Sequence, residues 1–166
     1  MNQGIVQFRN EKMYIEDSLS QLLSCIGDSI FSVSVSFPMS SRVTSCYCSE
    51  DAAVVCEPLV YQTDRYILKG CSFTEFLEEI CEYNDLSDLS KNDYDISEKN
   101  VWNNSLNTVA FIDVFKKFEH YAEISICSHA FDAPEMIIRY INGSEDTAVY
   151  SKENLISLLD SIISSK

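Results

Sequence analysis

Positive charge is scarce in this sequence. Twelve lysines and arginines stand against 26 aspartates and glutamates, which leaves a formal net charge of −14. Nucleic acids and anionic membrane surfaces are held by clusters of Lys and Arg, and a field of this sign repels both. Glycine is scarce too: four residues in the whole chain make no phosphate-cradling loop, and no Gly-x-Ser-x-Gly elbow occurs. The two histidines form no His-Glu-x-x-His pair for a catalytic zinc. No apolar run approaches the roughly 18 residues that cross a bilayer. The start, Met1 to Arg9, lacks the basic opening and long apolar core of a signal peptide. The expectation is a cytoplasmic chain with no nucleic-acid, membrane or cofactor partner.

Seven cysteines are present, at positions 25, 46, 48, 56, 71, 81 and 127. An odd number without an export signal argues against a disulfide framework, so they are expected to act as small hydrophobes in a reducing compartment. Cys46-x-Cys48 with Cys56 departs from the spacing of paired zinc ligands, and no second pair follows. No metal ligand is assigned. Cys127 and His129 could share a strand face and form a thiolate nucleophile. Two residues on a strand are nearly 7 Å apart, so a direct hydrogen bond would need a bulge, and no catalytic residue is assigned.

What is present is alternation. Phe31-Ser32-Val33-Ser34-Val35-Ser36-Phe37 puts its large side chains on one face of a strand. One buried and one wet face means a mainly antiparallel sheet. Pro38 to Ser41 makes a turn, Arg42 to Cys48 resumes the alternation, and Ala52–Tyr61 and Arg65–Lys69 continue a meander with a turn at Thr63-Asp64. Pro58 cannot donate to a ladder, so it marks an edge or a bulge. Ile5–Phe8 and Met13–Ile15 read either as two short strands around a polar turn or as a loose arm.

Three segments carry helical spacing. In Glu16–Ile26, Leu19, Leu22, Leu23 and Ile26 make one stripe, expected to pack on the Phe31–Phe37 face, with Gly27 as the stop. Phe73–Tyr83 opens with Ser72 and Glu75 at capping-box spacing. The last, Lys152–Ser165, is capped by Ser151. Leu106–Ala122 fits a helix through Phe111, Val114, Phe115, Phe118 and Ala122, although Thr108–Ile112 alone could be a strand; the longer pattern favours helix. Strands are expected over Glu123–Cys127, Met136–Ile141 and Thr147–Tyr150, the last two joined through the hairpin signal Asn142-Gly143. The fold class is therefore α+β, a mainly antiparallel sheet covered by three or four helices. The 166 residues fit one domain, with 84–104 as a long acidic loop that includes Trp102 near its end.

The acids are not evenly spread. Glu75, Glu78, Glu79, Glu82, Asp85, Asp88, Asp93, Asp95 and Glu98 face only Lys91 and Lys99 between Ser72 and Asn100, which leaves −7, half of the total. Solubility alone does not need that concentration. These nine are the candidate partner-binding residues, and the expected partner is a basic protein. Size, the acidic Glu75–Glu98 region and the hairpin-plus-helix ending at Met136–Ser165 resemble small acidic bacterial immunity proteins, including those of contact-dependent growth inhibition systems. That resemblance implies a cognate basic nuclease toxin, no cofactor, no enzymatic activity, and a monomer until bound. Small acidic α+β secretion chaperones, which dimerise around an unfolded effector segment, are similar in the same general features. An enzyme built on Cys127 and His129 is the third alternative.

Overall fold

The computed structural model describes residues 6–9, 12–15, 17–50, 52–59, 62–87, 89, 107–129 and 133–164. Among these described residues ten strands and four helices follow in the order β1 (Val6–Arg9), β2 (Lys12–Ile15), α1 (Asp17–Gly27), β3 (Phe31–Phe37), β4 (Arg42–Cys48), β5 (Ala53–Leu59), β6 (Gln62–Cys71), α2 (Phe73–Cys81), α3 (Asn84–Ser87), β7 (Asn107–Lys116), β8 (Glu119–Ser128), β9 (Glu135–Tyr140), β10 (Glu145–Val149) and α4 (Lys152–Ser164). β1 and β2 pair with each other as a hairpin, which settles the choice between strands and a loose arm. The other eight form one sheet in the order β10-β9-β8-β7-β3-β4-β5-β6, with every neighbour antiparallel. The class is α+β with a mainly antiparallel sheet.

The alternation on β3 sets the two faces. Val33, Val35 and Phe37 are buried, and the register places them level with Cys46, Thr44 and Arg42 of β4 and, for the first two, with Val114 and Ile112 of β7. That face continues through Val55, Ala122, Ile124, Ile126, Met136 and Ile138 into one buried cluster. Phe76, Leu77 and Ile80 of α2, Leu86 of α3, and Leu155, Leu159 and Ile162 of α4 join the same cluster. Three helices thus close the core face.

The fourth helix departs from expectation. α1 touches β4, β5 and β6, and its Leu22 Cδ2 lies 3.5 Å from where a Cβ on Gly70 would stand. Gly70 pairs with Val54, which points away from the side of Ala53 and Val55. The helix therefore lies on the face opposite α2–α4, not on Val33–Phe37. Only Cys25 is buried on it, and Leu23 is 41% exposed.

Leu106–Ala122 is the second correction: it holds β7 and the start of β8, not a helix. The helical spacing of Phe111, Val114, Phe115 and Phe118 competes with a period of two, and the latter wins because Ala110, Ile112 and Val114 bury against β3 and β8 on both sides. A two-residue turn at Lys117-Phe118 joins the strands, with φ of 47° and 67°. Turns of this hand suit Asn and Gly, and a phenylalanine there carries strain. Thr63 and Asp64 lie within β6, so the chain does not turn there. β5 is an interior strand, and the register shift beside Pro58 is the bulge that this proline demands. Asn84–Ser87 forms a short helix where loop was expected; Trp102 and most of 84–104 lie outside the described residues.

Candidate functional site

α2 is built from its ends inward. The Ser72 hydroxyl accepts the Glu75 N–H at 3.1 Å, and the Glu75 carboxylate accepts the Ser72 N–H at 2.7 Å, so the expected capping box is complete. Those bonds hold the Glu75 carboxyl below its ordinary value. At the other end Tyr83 is clamped to the sheet. Its hydroxyl donates to Glu57 Oε1 at 3.1 Å, and the Arg42 guanidinium lies 3.7 Å from its ring centroid and 3.6 Å from Glu57. Burial, aided by the Glu57 charge, pushes the Tyr83 phenol up to about 12. Between the two ends Phe76, Leu77, Ile80 and Cys81 are buried.

With the apolar side committed, the carboxylates face out, and their roles divide. Glu79 is only half-exposed and accepts from Lys69 Nζ at 3.1 Å. That bond, and the Glu79 charge, raise the Lys69 pKa. Glu75 and Glu79 are thus occupied by the cap and by the sheet. Glu78 and Glu82 are exposed and make no ion pair among the described residues. Asp85 lies on α3, but its side chain, like Asp88, Asp93, Asp95 and Glu98, lies outside the described residues. Of the nine candidates, the structure gathers Glu75, Glu78, Glu79 and Glu82 on one helix. The first turn of α4, with Lys152 and Glu153, lies beside the end of α2: burial raises the Cys81 thiol, Lys152 lowers it, and Glu153 and Glu82 raise it.

Cys127 and His129 are placed close in the chain but not joined. Cys127 is 1% exposed, and its Sγ meets Thr108 Oγ1 at 3.8 Å and the Ser125 carbonyl at 3.9 Å. Burial pushes its thiol pKa up, which opposes thiolate chemistry. His129 instead turns Nε2 to Glu135 Oε1 at 3.2 Å, while its buried Nδ1 has no hydrogen-bond partner among the described residues. Cys46, Cys48 and Thr44 share the core face, with the two sulfurs 3.7 Å apart; all seven cysteines are free. Among the described residues no group of three or more His, Cys, Asp or Glu side chains is placed to hold a metal ion, and no helix is long and apolar enough to cross a membrane.

No protein family, curated protein or solved structure matches this chain.

Proposed function

We propose that this chain is an acidic binding protein that neutralises a basic protein partner, and specifically an immunity protein that blocks a cognate nuclease toxin in the cytoplasm. In this reading it is not an enzyme, uses no cofactor, and is a monomer until bound. One observation carries the proposal: α2 spends its apolar side on the core and turns Glu78 and Glu82 outward, inside the stretch that holds half of the net charge. A basic nuclease domain presents cations where nucleic-acid phosphates would bind, and carboxylates can occupy the same cations. Attraction between opposite fields speeds encounter and is screened over about 8–10 Å at physiological salt.

The gene beside this one is expected to encode an exoprotein with a basic C-terminal domain. Titrating the purified chain into that domain should abolish nuclease activity at one chain per domain. Undiminished activity at excess chain would reject the immunity reading. Sedimentation of a stable dimer holding an unfolded segment would replace it with the secretion-chaperone reading.

A further inference from the structure

Among the described residues the sheet ends in a strand whose outer side is open: β10 pairs with β9 and with no other strand. The Tyr140 N–H donates to the Ser144 carbonyl at 3.0 Å, and the Tyr150 N–H donates to the Pro134 carbonyl at 2.8 Å. Both bonds lie on the register that pairs Ile138 with Asp146 and Met136 with Ala148. In an antiparallel ladder the bonded pairs alternate. Glu145, Thr147 and Val149 therefore turn their N–H and C=O groups away from β9. The Val149 carbonyl is found on that side, where Asn154 Nδ2 donates to it at 2.9 Å. Glu145 and Thr147 keep both backbone groups available, and Val149 keeps its N–H.

The two edges of the sheet differ. β6 has α1 against it on one face, and its Lys69 bridges to Glu79 of α2 on the other. Among the described residues only Asn154 of α4 is hydrogen-bonded to the outer side of β10, and all five strand residues are exposed. Natural edges are often guarded by charged side chains, especially lysine, by proline or by a bulge. Glu145–Val149 contains no lysine or proline, its register with β9 runs without a shift, and its only charges are the acids Glu145 and Asp146. The strand is also set firmly. The Asn142 Oδ1 accepts both the Ser144 N–H at 2.9 Å and the Ser144 hydroxyl at 2.7 Å, and Gly143 supplies the positive φ of 82° that the turn needs.

Charge chooses the occupant. Around β10 the acids Glu145 and Asp146 stand against two cations, Arg139, which reaches Glu145 at 2.9 Å, and Lys152, three residues past the strand, so the choice rests on the −14 of the whole chain. A second copy of this chain would bring −14 against −14, and that repulsion opposes edge-to-edge self-pairing. We infer that the outer edge of β10 is a docking strand for an extended basic segment of the partner, which adds to the sheet beside Glu145–Val149. Backbone bonds would supply affinity and alternate side chains specificity. The inference rests on the proposed acidic-binding function and assigns it a second contact surface.

A synthetic ten-residue peptide of alternating lysine and valine is the probe, with the full chain labelled for NMR. Adding it should slow amide exchange at Glu145, Thr147 and Val149, and an alternating glutamate and valine peptide should not. Thr147→Pro removes an N–H that β9 does not use, a position where an edge strand tolerates proline; it should weaken peptide binding at least tenfold. Thr147→Ala retains the N–H and should bind like the unmodified chain. Peptide that shifts only Glu78 and Glu82 would overturn the β10 assignment and leave the acidic-binding reading standing. Absence of binding by either peptide would overturn both. Protection of the three amides by rising concentration of the chain alone would overturn the basic occupant in favour of a second copy.

Discussion

Phe76→Ala is expected to destabilise the fold by about 3–5 kcal/mol, the usual cost of truncating a buried phenylalanine. Phe76 is buried on α2 and stacks with Phe73 at 6.2 Å, and Phe73 meets Phe31 edge-on at 5.2 Å. The truncation removes the buried end ring of a column, Phe76 to Phe73 to Phe31, that ties α2 to β3, and the capping box and the Tyr83 clamp hold only the helix ends. For a chain of this size each kcal/mol moves the melting temperature by about 2–4 °C, so a fall of at least about 6 °C is expected. Urea unfolding of Phe76→Ala and of the outward Glu78→Ala makes the comparison, because surface changes are usually within about 0.5 kcal/mol. A loss below about 1 kcal/mol for Phe76→Ala would mean that α2 is not docked through this ring.

Thr44→Val should act in the opposite direction. Thr44 is fully buried opposite Val35 and beside Cys46, and its Oγ1 has no hydrogen-bond partner among the described residues. A buried hydroxyl without a partner forfeits its hydration, at about 1–3 kcal/mol. Valine keeps the β-branched shape that suits a strand and removes the hydroxyl. A gain of about 1 kcal/mol or more in the same urea titration is expected. Destabilisation by Thr44→Val would show that the hydroxyl is bonded in solution.

The parts of the fold that were legible in the sequence are those fixed by neighbours along the chain. The alternation of Phe31–Phe37, the Ser72–Glu75 box and the Ser151 cap, whose hydroxyl accepts the Asn154 N–H at 3.1 Å, depend on residues within a few positions. The misreadings arose where a distant partner decides. The β7 residues satisfy two periods, and pairing with β3 and β8 selects between them. Helix α1 forms where its spacing predicts, but Leu22 meets the sheet at Gly70 of β6, more than forty residues later. The candidate site divides in the same way. The acids of α2 are plain in the sequence, whereas the engagement of Glu79 follows from Lys69 on an adjacent strand. The open side of β10 follows from strand order, which local spacing does not encode.

Partner capture through outward carboxylates is tested most directly by stopped-flow association of the chain with the basic domain of its genomic neighbour, at low and physiological salt. The comparison is between the unmodified chain and the double variant Glu78→Gln and Glu82→Gln. Both carboxylates are exposed and free of ion pairs among the described residues, so the fold should be unchanged. The predicted result is an association rate that falls with salt for the unmodified chain. The double variant should be several-fold slower at low salt, and the two rates should converge as screening grows. Equal rates for the two proteins at low salt would contradict the account and reduce the acidic side of α2 to a solvated face.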